Sequence, residues 1–134
     1  MITSVYQCIC LLLQILYNAV YDRYVLLFHA DTSTFSYPTV GVGMARDITG
    51  PYEWVRVFHP DGLNSFDMGV FQEDDGTAYL VRSVDNEYVG ISQLTPDYLD
   101  TMGITSTAPR VRAYPCGADE NGWHHGCLHS PERL

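Results

Sequence analysis

The sequence predicts an all-β protein built from antiparallel sheets of about four strands each. Three observations carry this. Between positions 15 and 94 the chain runs in short stretches of β-branched and aromatic residues broken by turn residues. Asp74-Asp75-Gly76 separates two of those stretches, and an Asp-Gly step favours the positive backbone angles of a tight hairpin. A series also recurs. Tyr24-Val25-Leu26-Leu27-Phe28-His29-Ala30-Asp31, then Val40-Gly41-Val42 and Arg46-Asp47, is echoed by a second run. That run is Tyr79-Leu80-Val81-Arg82-Ser83-Val84-Asp85, then Val89-Gly90-Ile91 and Pro96-Asp97. The offset of roughly 50 residues is the spacing of four-stranded propeller blades. About two blades make an incomplete ring, which leaves two large apolar faces bare.

Taken in order, residues 5–16 are mostly apolar, about the length of a signal-peptide core. No Lys or Arg precedes them, no small-x-small cleavage site follows before Tyr21, and the run is too short to span a bilayer. It reads as a buried strand, or as foreign sequence joined to one. Residues 24–29 and 39–45 are strands, the second with glycine at alternate positions in Val40-Gly41-Val42-Gly43-Met44. Such alternation leaves one face flat enough for another sheet to approach closely. Ile48-Thr49-Gly50-Pro51-Tyr52 is a turn into a strand at 53–58. Three more strands follow at 68–73, 78–83 and 89–94. Residues 95–99 form at most one capped turn, and no long amphipathic helix is present. The coherent segment is 14–112. An atypical segment, 1–13, precedes it and an irregular tail, 113–134, follows it.

Composition narrows the function. At 134 residues the chain is one small domain, 46% hydrophobic and 13% aromatic, with ten Tyr. It has no Lys; seven Arg face sixteen acidic residues, for a formal charge of −9. That balance argues against nucleic-acid binding, which needs a basic footprint, and no membrane partner is expected. Four Cys fall as two local pairs, Cys8 with Cys10 and Cys116 with Cys127; the second pair could bridge in a secreted chain, and sequence fixes no connectivity. Cys116, His124, His125, Cys127 and His129 match no familiar zinc spacing, so no metal and no cofactor is expected.

The stretch Ser65-Phe66-Asp67-Met68-Gly69-Val70-Phe71 puts one carboxylate at the head of an apolar strand. Such an acid is either a capping residue or part of a site. The ordered words around it decide between them: Leu16-Tyr17-Asn18, Asp22-Arg23-Tyr24-Val25, His29-Ala30-Asp31-Thr32-Ser33, Thr49-Gly50-Pro51-Tyr52, Asp67-Met68-Gly69-Val70-Phe71, Asp74-Asp75-Gly76-Thr77-Ala78-Tyr79-Leu80 and Leu94-Thr95-Pro96-Asp97-Tyr98-Leu99. Over about three-quarters of the chain this set resembles the five-bladed β-propeller of glycoside hydrolase family 43, especially the branch acting on β-1,3-galactan.

The resemblance implies an inverting glycosidase, exo-acting on β-1,3-galactan or a related plant polysaccharide. Two carboxyl groups about 6.5–9.5 Å apart act in such enzymes, one as acid and one to activate water, and a third orients the acid and keeps it protonated. Asp67 aligns with that third group. Asp85 and Asn86 resemble a pair that hydrogen-bonds sugar hydroxyls; an ordinary polar hairpin turn explains them equally well. Phe35 falls where relatives place an aromatic that packs on a sugar face, with core packing the alternative. His29 and Asp31 end an inner strand that would line the funnel, with a satisfied buried histidine the commoner alternative for His29. Trp54 reads as blade core, and Trp123 as a further aromatic that could stack on sugar. In the relatives an acidic and basic segment runs into the strand matching Ile15-Leu16-Tyr17-Asn18, where this chain has Leu11-Leu12-Leu13-Gln14. The general acid, a Glu in the blade after Asp67, has no counterpart in phase; Glu120 lies in the irregular tail. The expectation is therefore a truncated, inactive portion of an extracellular glycosidase, whose partner is a polysaccharide or oligosaccharide. The alternative is a non-catalytic carbohydrate-binding module.

Overall fold

In the computed structural model the chain is described over residues 8–109, with side chains from Cys10 on, and over the backbone of 114–115 and 126–127. Two four-stranded antiparallel sheets make up the described part. The first holds β1 (Cys8–Asn18), β2 (Arg23–Thr32), β3 (Thr39–Ala45) and β4 (Glu53–Phe58) in that spatial order. A 3-10 turn at Pro60–Gly62 leads to the second. That sheet holds β5 (Ser65–Gln72), β6 (Ala78–Val84), β7 (Tyr88–Leu94) and β8 (Thr101–Pro109). A two-residue ladder joins β9 (Tyr114–Pro115) to β10 (Gly126–Cys127). Each four-stranded meander is one blade, as the sequence predicts.

Period-two alternation explains how the blades meet. Along β6, Ala78, Leu80, Arg82 and Val84 point inward and are buried, while Tyr79, Val81 and Ser83 between them are not. On the other blade Leu16, Val25, Leu27, Val40 and Val42 point inward. They form one apolar cluster with Met68, Ala78, Leu80, Leu94 and Tyr98 across the seam. Fully buried side chains such as Leu27 and Leu80 each contribute about 1.5–3 kcal/mol. The seam is also pinned by polar groups. Asn18 Nδ2 donates to the carbonyl of Pro96 (2.7 Å), Gln72 Nε2 to the carbonyl of Tyr17 (3.0 Å), and Arg56 pairs with Asp100 at 2.7 Å.

The predicted hairpin forms. Glu73 N–H donates to Thr77 O, Gly76 N–H returns to Glu73 O, and Gly76 takes a φ of 89°. The alternating glycines do serve close approach: a Cβ on Gly41 would lie 2.3 Å from the Phe28 ring, which stacks against Trp54.

Three features differ from the sequence reading. Residues 101–109 are a strand, hidden in the sequence because Thr101–Pro109 is an outer edge strand with little buried surface and so no alternation. Pairing of β1 runs back through Cys8–Leu11 opposite His29–Thr32, upstream of position 14, and its Leu11, Leu12 and Leu13 are exposed. The repeat is one of composition rather than register. Val25 and Leu80 both face the seam, so Tyr24 and Tyr79, matched in the sequence echo, lie on the two opposite outer faces.

Candidate functional site

The site is best built outward from Ser65, the first residue of β5. It is fully buried, and both its backbone groups are tied to the first blade. Its N–H donates to Pro38 O (3.1 Å), and its carbonyl lies 3.1 Å from His29 Nδ1. The other ring nitrogen of His29 is 3.5 Å from Asp31 Oδ2. Asp31 is itself buried, and its Oδ1 accepts from Thr32 N–H (2.7 Å) and Tyr37 N–H (2.8 Å). One carboxylate thus closes the 33–38 loop on itself and stands beside the imidazole that fastens that loop's blade to β5. Among the described residues, Asp31 Oδ2 and the Ser65 hydroxyl have no hydrogen-bond partner.

Two residues beyond Ser65 the β5–β6 ladder breaks register. Ser65 pairs with Val84 and Met68 with Arg82, so Phe66 and Asp67 stand opposite Ser83 alone. This is a β-bulge, the device that re-aims a side chain beside a site. Asp67 is exposed there, at the third position of the strand rather than before it. No hydrogen bond to a described residue engages its carboxylate, so the capping explanation finds no partner. The inner strand of the first blade has the same irregularity: Leu11 pairs with His29 and Gln14 with Leu27, leaving Leu12 and Leu13 opposite Phe28. That bulge presents leucines where the second presents an acid.

Because Ser65 pairs with Val84, the turn after β6 opens on the same end as Asp67. It holds Asp85 and Asn86, at φ of 51° and 57°. Asx residues tolerate this region well, which is why the turn carries them. Both are exposed, and the Ser83 hydroxyl donates to Asn86 Oδ1 (3.3 Å). Phe35 sits in the 33–38 loop with its ring out in solvent and a φ of 53°. A bulky side chain in the left-handed region is costly; here the Asp31 contacts and the mutual hydrogen bonds of Thr32, Thr34 and Ser36 hold the loop that imposes it. Core packing of Phe35 is thereby excluded.

Topology thus gathers His29, Phe35, Asp67, Asp85 and Asn86 at one end of the two-blade sandwich. His29 differs from the others: it is buried and fastens the seam rather than facing outward. Sequence reasoning passed over Tyr37 and His59, whose rings meet edge-on with centroids 4.7 Å apart. Tyr37 is exposed and belongs to the same loop as Phe35. Trp54 lies on the outer face of the first blade, exposed rather than in the blade core. A separate open cleft of about 420 Å³, lined by Arg23, Arg46, Asp47 and Glu53 among others, lies at the opposite end of the strands. Among the described residues no cluster of His, Cys, Asp or Glu has the makings of a metal site. Glu120, Trp123, Cys116, His124, His125 and His129 lie outside the described residues.

No family model matches the chain, and no curated protein matches it. Solved structures do. An exo-β-1,3-galactanase from Phanerochaete chrysosporium, solved with galactose and, as Glu-to-Ala and Glu-to-Gln variants, with β-1,3-galactotriose, superposes with a TM-score of 0.76 and 30% identity. The match covers 81% of this chain and 27% of that one. A family 43 β-1,3-galactosidase matches at 27% identity and TM-score 0.66, over 71% of this chain and 20% of the other. An exo-β-1,3-galactanase from Clostridium thermocellum shares the fold at 22% identity and TM-score 0.70, over 79% and 26%. The chain therefore spans about a quarter of the length of these proteins. The resemblance to family 43 read from the sequence is borne out, as is the all-β, partial-propeller fold.

Proposed function

We propose that this chain, a two-blade portion of the glycoside hydrolase family 43 propeller, carries part of the sugar-binding end of an extracellular exo-acting glycosidase for β-1,3-linked galactan. The observation that carries the reading is the convergence of an exposed, unengaged carboxylate on a bulge, Asp67, with the solvent-facing Phe35 and the Asp85-Asn86 turn at one end of the seam. A carboxylate and a turn amide suit sugar hydroxyls, and an exposed aromatic ring suits the apolar face of a pyranose. Similarity to galactanases that hold galactose and galactotriose supports the ligand class.

In the whole enzyme Asp67 would act as the group that orients a general acid and disfavours its ionisation. By themselves the 134 residues bind rather than cleave. Inversion needs an acid and a water-activating group on opposite sides of the glycosidic bond, and the first blade's bulge offers Leu12 and Leu13 instead of a second carboxylate.

Isothermal titration with β-1,3-galactotriose, paired with a reducing-sugar assay, tests both halves. The expected result is weak binding that Phe35→Ala and Asp85→Ala each diminish, with no sugar released. Absence of heat at millimolar trisaccharide would remove the binding claim. Galactose release that disappears in Asp67→Asn would instead make the chain catalytic as it stands.

A further inference from the structure

At the end of the strands away from Phe35 and Asp67 lies the open cleft of about 420 Å³, a size typical of small-molecule sites. Its walls are the head of β2 at Arg23, the foot of β3 at Met44 and Ala45, the turn from Arg46 to Pro51, and the head of β4 at Glu53. The turn is braced by its own hydrogen bonds. Thr49 donates to Asp47 Oδ1 through both its N–H (2.8 Å) and its hydroxyl (2.6 Å), and Gly50 N–H donates to Asp47 O (2.9 Å).

Charge sets this cleft apart. Tyr24 pairs with Ala45 at the end of the β2–β3 ladder, so Arg23 and Arg46 take the next position outward, on the face of Val25 and Met44. Like charges directly opposite each other destabilise a sheet. No ion pair with a described residue relieves this one. Of the four Arg among the described residues, Arg56 pairs with Asp100 and Arg82 with Asp61, whereas Arg23 and Arg46 join no described carboxylate. The acids next to them in sequence are engaged elsewhere: Asp22 accepts from the Tyr17 hydroxyl (2.7 Å), and Asp47 holds Thr49. Arg23 is itself set in place, its Nε donating to Tyr21 O (3.3 Å) and its Nη1 resting 3.8 Å from Met44 Sδ. Glu53 is exposed, and no described residue engages its carboxylate. The cleft thus offers two guanidiniums and one carboxylate acceptor to whatever enters it.

We propose that this cleft binds a polyhydroxylated monocarboxylate, the chemistry of a sugar acid, with its carboxylate between Arg23 and Arg46 and a hydroxyl donating to Glu53. A guanidinium presents paired N–H groups to a carboxylate, and such charge-assisted bonds are about twice as strong as neutral ones. A bound carboxylate also offsets the Arg–Arg repulsion, which a neutral sugar cannot do. A dianion such as sulfate is disfavoured, because its second charge meets Glu53 and Asp47. Met44, Ala45 and Pro51 supply apolar surface for the carbons of the ring. The site lies apart from the Phe35–Asp67 end and does not depend on the galactan reading.

Isothermal titration of the full 134-residue chain with D-galacturonate at low salt tests this, with galactose, acetate and sulfate as comparison probes. Galacturonate should bind, acetate and sulfate should each bind more weakly, and galactose should not compete. Arg23→Gln and Arg46→Gln should each raise the galacturonate Kd about tenfold or more. Arg46 is exposed, so its variant keeps the fold, and without ligand it should melt no lower than wild type because a repulsion has gone. Glu53→Gln should narrow the preference for galacturonate over sulfate, a change that a general loss of folding would not produce. Phe35→Ala should leave galacturonate binding intact. No binding at millimolar galacturonate would overturn the proposal, as would tighter binding of sulfate or an unchanged Kd in both arginine variants. Galacturonate binding abolished by Phe35→Ala would assign the acid to the other end of the strands and overturn it likewise.

Discussion

Replacing Asp61 by glycine should destabilise the second blade far more than its surface position suggests. Arg82 is 1% exposed. Its guanidinium donates to Ser92 Oγ (2.7 Å), Pro60 O (3.0 Å) and Asp61 Oδ2 (2.9 Å), and the Ser92 hydroxyl donates to the same Asp61 oxygen (2.6 Å). Among the described residues Asp61 is thus the sole countercharge of a buried cation, and without it the charge is stranded. Removing one partner of a buried pair costs about 3–5 kcal/mol, against a total stability of about 5–15 kcal/mol. Asp61 holds a φ of 56°, where glycine is unstrained. The loss therefore belongs to the carboxylate, apart from up to about 1 kcal/mol of added freedom in the unfolded chain. With an m-value of about 2 kcal/mol per molar, the urea midpoint should fall by about 2 M. Asp61→Asn, which keeps an acceptor and tolerates this φ, should lose about 1–2 kcal/mol. A glycine variant within about 0.5 kcal/mol of wild type, the range of an ordinary surface change, would refute the stranded-charge argument.

Acid should act through the same carboxyl. Burial works to raise it, but hydrogen bonds from Ser92, Thr101 and Arg82 and the Arg82 charge outweigh that, holding Asp61 below the usual carboxylate range. Its contribution is complete above the ordinary carboxyl pKa of about 3.9 and is lost as pH falls through the lower folded value. Asp61→Asn should flatten that acid arm in a pH series of urea midpoints; an unchanged arm would mean other carboxylates set it. Gly41→Ala would put a methyl 2.3 Å from the Phe28 ring, and overpacking of this kind costs about 1–3 kcal/mol. The ring must leave Trp54, so tryptophan emission should shift along with the loss of stability. Asn18→Ala removes the amide that is 1% exposed and bridges Pro96 O to the Val20 and Tyr21 amides. A loss of about 2–3 kcal/mol is expected from the orphaned groups, read as a lower thermal midpoint; Asn18→Asp should restore only the Val20 and Tyr21 half.

Much of the fold was legible because local signals and burial agree. Asp74-Asp75-Gly76 fixes its hairpin whatever packs on it, and strands such as Ala78–Val84 alternate because one face meets the seam. Where burial is slight the signal fades, which is why Thr101–Pro109 was passed over and why the apolar run at the N-terminus suggested burial. Its leucines are exposed because no sheet in the described residues covers them. The false register of the echo has the same origin. Tyr-Val-Leu and Tyr-Leu-Val are both apolar throughout, so a one-residue slip that turns every side chain to the other face leaves no mark on composition. At the site, Asp67, Phe35 and the Asp85-Asn86 turn were named from resemblance, but their shared end follows from Ser65 pairing with Val84, a long-range fact. Tyr37 and His59 were missed because neither lies in a strand with a pattern to break. Their adjacency exists only once the 33–38 loop and the 59–62 turn flank the head of β5.

The seam and the site are one construction. Asp67 takes its direction from a bulge, and a bulge by itself is a loosening of the ladder. What fixes this one is that the strand just before it is held from the opposite blade, by Pro38 at the Ser65 N–H and by His29 at the Ser65 carbonyl. His29 is in turn set by Asp31, whose second oxygen organises the loop bearing Phe35 and Tyr37. A ligand touching Phe35 and Asp67 would bridge two blades already joined through buried groups within a few residues of each contact. Its binding need order little more than exposed side chains, which lowers the entropic cost of recognition. The same linkage makes the site depend on the seam. Any change that lets the blades part, whether at Asn18, at Leu80 or at the Arg56–Asp100 pair, releases Ser65 and with it the aim of Asp67.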